Sequence, residues 1–181
     1  DYVRERGIKV VRRLTGGGAV FHDLGNVNFT FIDDTEANED SSAMFARFTK
    51  PIIDALRSLG VEAYLEGRND LLIDGRKFSG NAVARYKTRL LQHGTLLFSA
   101  SMADLSNALA ARPEKFTGKS VQSNRSRVTN ISEHLKTPLS IKEFIDFLHN
   151  YVAGAGSGYS RYEYSKKDIE AITMLKKTKY S

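Results

Sequence analysis

The chain has 181 residues, 41% hydrophobic and 27% charged, which suits one domain with a single sizeable core. With no cysteine it has no disulfide, thiolate metal site or thiol nucleophile, so any covalent chemistry must run without sulfur. A net charge of +6 and a pI near 9.5 point to a ligand or partner carrying negative charge, while the lack of a long apolar run or a secretory leader makes the cytoplasm the expected location and argues against a membrane.

Residues 7–14 are rich in Val and Ile and predict a strand, and residues 27–31 alternate apolar and polar side chains as a half-buried strand does. Over 41–59, Phe45, Phe48, Ile52, Leu56 and Leu59 recur at helical spacing, with Gly60 as the stop and Pro51 expected to kink the helix or begin a second piece. Asp74-Gly75 stands between two extended runs, the signature of a two-residue hairpin with a type I′ turn. Period two then puts Lys77, Ser79 and Asn81 on one face, and Phe78, Gly80 and Ala82 on the other. Residues 90–98 predict the next strand, with His93 and Thr95 sharing a face.

Residues 111–130 contain Arg112-Pro113, Gly118 and several serines, and read as a long loop. Ser140 and Glu143 fit a capping box, followed by Ile141, Phe144, Ile145 and Leu148 on one helical face; Ser165 and Asp168 repeat the signal before Ile169, Ile172 and Leu175. This order of elements predicts an α+β domain with a mostly antiparallel sheet flanked by helices, rather than alternating βαβ units. One domain is expected over residues 1–181, as a piece of a longer protein incomplete at both ends.

The segment carrying most chemistry runs Arg12-Arg13-Leu14-Thr15-Gly16-Gly17-Gly18-Ala19-Val20-Phe21-His22-Asp23-Leu24-Gly25-Asn26. Consecutive glycines let the main chain approach a ligand and offer N–H groups to phosphate or carboxylate oxygens, and Arg13 adds a fixed cationic fork. It is neither a Walker A loop nor a dinucleotide fingerprint. Gly118-Lys119-Ser120 fails the first because Pro113 stands where its leading glycine belongs.

Together with Gly67-Arg68-Asn69-Asp70, Gly75-Arg76-Lys77-Phe78-Ser79-Gly80-Asn81-Ala82, His93-Gly94-Thr95-Leu96-Leu97 and Arg125-Ser126-Arg127-Val128-Thr129-Asn130, this segment resembles the motifs of lipoate–protein ligases, in the family order. The resemblance implies a biotin/lipoyl ligase-like catalytic domain. It also implies a two-step reaction in which ATP and Mg²⁺ convert lipoate to lipoyl-AMP before the acyl group passes to a lysine. The implied acceptors are lipoyl domains of 2-oxoacid dehydrogenase complexes or the glycine-cleavage H protein. By the same resemblance Lys77 is the catalytic lysine. Arg13, Thr15, Gly16, Gly17, Gly18, His22, Asn69, Asp70, Ser79, Gly80, His93, Gly94 and Arg125 bind substrate or adenylate, and Asp70 also binds the metal. Lys119, Arg125 and Arg127 fall in a segment that closes over the adenylate in the family.

Two alternatives stay open at this point. An octanoyltransferase or another superfamily member shares the fold and part of the pattern, although a thioester route needs a cysteine that these 181 residues do not contain. A basic nucleic-acid-binding module would use lysine, arginine and stacked aromatics, yet no known motif of that class is present.

Overall fold

A computed structural model describes residues 2–34, 40–110, 128–154 and 158–180. Five strands form one antiparallel sheet in the order β1-β5-β4-β3-β2, comprising β1 (Asn26–Asp34), β2 (Ala63–Glu66), β3 (Asp70–Ile73), β4 (Arg76–Tyr86) and β5 (Arg89–Leu97). The helices are α1 (Tyr2–Glu5), α2 (Ser41–Ser58), α3 (Met102–Ala108), α4 (Ile141–Gly154) and α5 (Lys166–Thr178), with a 3-10 turn at Ile131–His134. The expected α+β class with an antiparallel sheet is what forms.

Local signals account for much of this. Asp74 (φ 49) and Gly75 (φ 69) both take the left-handed conformation that a type I′ turn requires, so the β3–β4 hairpin closes in two residues. Asp40 caps α2 by accepting from Ala43 N at 2.8 Å, and the Ser140/Glu143 and Ser165/Asp168 boxes open α4 and α5. Helix α2 runs through Pro51 as one 18-residue element rather than splitting. Phe48, Ile52 and Ile53, buried to 5%, 2% and 9% exposure around the proline, outweigh its cost. Each such burial contributes about 1.5–3 kcal/mol, against about 3 kcal/mol for the proline.

The core lies on one sheet face, where Val27, Leu71, Ile73, Phe78 and Leu96 pack against Ile52 and Leu56 of α2 and Phe144 and Leu148 of α4. Phe98 and Phe144 stack there with centroids 4.4 Å apart. Helix α3 covers part of the opposite face and is held by α1, whose Tyr2 hydroxyl hydrogen-bonds Asp104. No helix among the described residues is long and apolar enough to cross a membrane.

Two expectations are corrected. Residues 7–14 form no strand: Val10, Val11 and Leu14 are 81%, 58% and 63% exposed, and the segment joins no ladder among the described residues. A preference of Val and Ile for extended structure yields a strand only where a neighbour completes the hydrogen bonds and covers a face. Strict alternation along β4 also fails. Leu71 faces Ser79 while Leu72 faces Lys77, so a β-bulge at Phe78 resets the pleat. Ser79 and Asn81 therefore turn to the core, and Lys77 joins Gly80 and Ala82 on the opposite face.

Candidate active site

On the face away from α2 and α4, a cavity of about 480 Å³ is lined by Ala19, Val20 and Phe21 after the triple glycine, residues 77–80 of β4, Thr95 and Leu97 of β5, and Leu105 and Leu109 of α3. Its walls are largely apolar, with a few polar groups at one side, the usual make-up of a small-molecule site. The sheet supplies the floor because β1, β4 and β5 are in register: Asn28, Thr95 and Gly80 align across the strands, and Thr30, His93 and Ala82 align one rung further on.

Lys77 sits at this cavity because of the bulge. Its Nζ lies 2.7 Å from Asp70 Oδ1, and a Cβ at residue 80 would come within 3.3 Å of both its Cε and Nζ. The ammonium is thus laid over Gly80 and braced by a carboxylate from the neighbouring strand. Glycine at 80 is what leaves the room.

Asn69 and Asp70 are held by a second network. Asn69 Nδ2 donates to Asn81 O (2.6 Å), while Asn81 N and Nδ2 both donate to Asn69 O (3.0 Å each). Gln92 Nε2 donates to Asn81 Oδ1 at 2.7 Å, so two buried amides lock the 67–70 turn against β4. Asn69 acts here on the protein's own main chain. Ser79, expected at the ligand, is 1% exposed, and its hydroxyl accepts from Asn81 Nδ2 at 3.3 Å. Gly94 is required by the same network, since a Cβ would overlap Asn81 Oδ1 and the Phe29 ring.

Arg13, Thr15 and His93 form a third cluster, on the face shared with Thr95. Arg13 Nε donates to Thr15 Oγ1 (3.1 Å), a guanidinium nitrogen donates to Gly16 O (2.7 Å), and Thr15 Oγ1 lies 2.6 Å from His93 Nε2. An arginine N–H can only donate, so the threonine hydroxyl accepts from Arg13, and its contact with His93 Nε2 joins the imidazole to the same chain of polar groups. Burial, then Arg13 and then His22 push the His93 pKa below its ordinary value of 6.5. His22 is lowered as well, by desolvation from neighbouring atoms and then by Arg13, with Asp23 opposing, although much of its surface reaches solvent. Of the three glycines, Gly17 alone has a left-handed φ (107), and a Cβ there would press on the Arg13 guanidinium; Gly16 faces open space. A pH prediction follows by sign. The unfolded chain takes up protons near pH 6.5 that folded His22 and His93 resist, so stability is present above that pH and declines as pH falls toward the lowered folded values. Thermal melts between pH 7.5 and 5.5 should show this slope in the wild type and a flatter one in the His22→Asn/His93→Asn double variant.

The structure thus brings Lys77, Ser79 and Gly80 to the cavity wall, with Asp70 paired to Lys77, and gathers Arg13, Thr15, Gly16 and His93 into a separate cluster. Arg125, with Lys119 and Arg127, lies outside the described residues. Among the described residues no three His, Cys, Asp or Glu side chains converge on one point. Asp70 therefore fits Mg²⁺ only as a single carboxylate beside phosphate oxygens, the manner in which Mg²⁺ commonly binds nucleotides.

Several cavity residues were not singled out from the sequence. Leu105 and Leu109 come from α3, whose Ser101 cap accepts from Asp104 N (3.2 Å); the Ser-x-x-Asp spacing with leucines four apart was a readable helix signal. Asn26 also lines the cavity, and its Nδ2 is buried without a hydrogen-bond partner among the described residues. Gln92, which does not line the cavity but is buried against Asn81, carried no local signal, being a polar residue within an apolar run.

Residues 1–153 match the family described as Lipoyl protein ligase A/B catalytic domain. Lipoate-protein ligase LplJ of Bacillus subtilis (strain 168) is 46% identical over 181 residues, covering 99% of this chain and 54% of the relative. Lipoate--protein ligase 1 of Staphylococcus aureus (strain Mu50) is 43% identical, at 99% and 54% coverage, so the chain spans about half the length of these relatives. Among solved structures, a bi-partite lipoate protein ligase from Thermoplasma acidophilum superposes with a TM-score of 0.78 at 30% identity, over 98% of this chain and 69% of that one. A lipoate-protein ligase A bound with ATP gives 0.76 at 26% identity, over 98% and 71%. The motifs, the antiparallel sheet and the cavity at Lys77 converge with these matches, and the chain belongs to the lipoyl protein ligase A/B catalytic domain family.

Proposed function

We propose that the chain activates lipoate with ATP and transfers the lipoyl group to a lysine of an acceptor lipoyl domain. The observation that carries this reading is the Lys77 ammonium, braced by Asp70 2.7 Å away and laid over Gly80 at the cavity wall. In the first step a lipoate carboxylate oxygen attacks the α-phosphorus of ATP, the bond to the bridging oxygen breaks, and pyrophosphate leaves. In the second the acceptor amine attacks the mixed-anhydride carbonyl, a C–N bond forms, AMP leaves and the amine proton is released.

Both steps build negative charge on oxygens that a preorganised cation stabilises, and Lys77 is placed to hold those oxygens throughout. Val20, Phe21, Leu97, Leu105 and Leu109 give the acyl chain an apolar wall. Asn26 Nδ2, buried and without a hydrogen-bond partner among the described residues, is a donor whose cost a bound acceptor offsets. Mg²⁺, held by Asp70 and phosphate oxygens, would screen phosphate charge. With no cysteine in the chain, transfer from the adenylate is favoured over a thioester.

Relatives support the substrates. One solved neighbour is a ligase A bound with ATP, and the T. acidophilum system pairs its ligase with an E2 lipoyl domain. Lipoyl domains of 2-oxoacid dehydrogenase complexes or the glycine-cleavage H protein are the proposed acceptors. A net charge of +6 suits a partner with an acidic surface. Incubating the chain with ATP, Mg²⁺, lipoate and an acidic lipoyl domain should add the mass of one lipoyl group to that domain; an unmodified acceptor together with no lipoate-dependent pyrophosphate release would refute the reading.

A further inference from the structure

Outside the cavity, Asp74, His134 and Thr129 form a carboxylate–imidazole–hydroxyl chain. His134 Nδ1 lies 3.3 Å from Asp74 Oδ2, and its Nε2 lies 2.9 Å from Thr129 Oγ1. In an open cleft such a chain would activate the hydroxyl as a nucleophile. Thr129 is 1% exposed, however, so no substrate reaches it.

What Thr129 does reach is Lys77. Its N–H donates to Lys77 O at 3.0 Å, and Val128 makes a parallel bridge to Lys77. Lys77 needs this support because the β4–β5 ladder begins only at Ser79 and the bulge interrupts β3–β4 pairing between Lys77 and Ser79. The Thr129 side chain is in turn gripped by Glu133, to which its hydroxyl donates at 3.2 Å, and by His134. Arg76, the neighbour of Lys77, approaches His134 Nε2 at 3.4 Å and Glu133 at 3.9 Å. A closed circuit therefore runs from the hairpin tip at Asp74 through Arg76 and Lys77, across to Thr129, and back through His134.

We infer that His134, acting through Thr129 and Asp74, is a positioning residue for Lys77: it fixes the main chain from which the ammonium is aimed. The catalytic consequence rests on the proposed activity, while the structural consequence does not.

The test uses His134→Ala, His134→Gln and Thr129→Val, with two measurements: lipoate-dependent exchange of pyrophosphate into ATP, and the ¹³C resonance of Lys77 Cε in lysine-labelled protein. A displacement on the ångström scale costs up to about 100-fold, so His134→Ala is expected to lower kcat about 10- to 100-fold with KM for ATP and lipoate unchanged. His134→Gln, whose amide still bonds Thr129, should recover most of kcat. Thr129→Val should match His134→Ala, and the double variant should be no worse than either. The Lys77 signal should move in His134→Ala and return in His134→Gln. Wild-type kcat and an unmoved Lys77 signal in folded His134→Ala, or equal losses in the alanine and glutamine variants, would overturn the inference. Absence of exchange by the wild-type chain would refute the proposed activity instead, and the Lys77 signal, which needs no turnover, would still decide whether His134 positions it.

Discussion

Lys77→Ala is expected to reduce lipoate-dependent pyrophosphate exchange by about 10³-fold or more while the circular dichroism spectrum and thermal midpoint stay near wild type. The two halves of this expectation have separate causes. A preorganised donor, once bound substrates displace the water around it, contributes about 10²–10³ to a rate when it meets charge that develops in the transition state, and an ammonium serving both transfers should reach the upper end. The fold does not share that dependence. The Lys77 and Asp70 side chains are 29% and 36% exposed, and a pair so open to solvent contributes at most about 1 kcal/mol. Lys77→Arg should rescue little. The ammonium is packed where a Cβ on Gly80 would lie only 3.3 Å away, and a planar guanidinium has a different shape and reach from the compact charge it would replace. Exchange kinetics of the three proteins check the claim; a folded Lys77→Ala protein with a wild-type rate would remove Lys77 from the chemistry.

Gly25→Ala should be the most damaging of the single-methyl additions in the glycine segment, by about 3 kcal/mol, whereas Gly16→Ala should be close to neutral in stability. Gly25 ends that segment just before β1, and its carbonyl accepts from both Phe98 N (3.1 Å) and Ser99 N (3.0 Å). A Cβ there would overlap the carbonyl of Ser99 and the amide of Ala100, which are main-chain atoms that cannot swing away. Overpacking typically costs 1–3 kcal/mol, and an obstacle made of backbone belongs at the top of that range. For a chain of this size 3 kcal/mol lowers the melting temperature by about 10 °C. Gly16 meets nothing within 4 Å, so its methyl adds no clash. Thermal melts of the two variants side by side test whether the segment is uniformly permissive or has one rigid anchor. Equal midpoints would show that residue 25 relaxes.

Asp23 explains why that anchor matters to the site. Its Oδ1 accepts from Gly25 N (2.8 Å) and its Oδ2 from Ser101 N (2.7 Å), at the cap of α3. The end of the glycine segment and the helix that walls the cavity are therefore joined by one carboxylate. Misplacing Gly25 should loosen both walls of the cavity.

Features governed by a few neighbouring residues were legible in the sequence: the apolar stripe of α2, the Asp74-Gly75 turn, the Ser140/Glu143 and Ser165/Asp168 caps, and the order of elements that dictates an antiparallel α+β domain. The motif blocks likewise carried the family, because several of their residues answer local demands of the fold: Gly75 takes a left-handed turn, Gly80 leaves room for Lys77, and Gly94 lets Asn81 and Phe29 close in. Tertiary structure decided the rest. The exposed 7–14 segment shows that Val and Ile make no strand without a partner, and the apolar side chains of α5 remain exposed, with Ile169 at 50%, although their spacing is that of a packed face. The bulge at Phe78 is the decisive case. Period-two counting pointed Lys77 away from Gly80, but the unequal pairing of β3 with β4 turned the lysine onto the cavity face, and only the neighbouring strand's register could impose that.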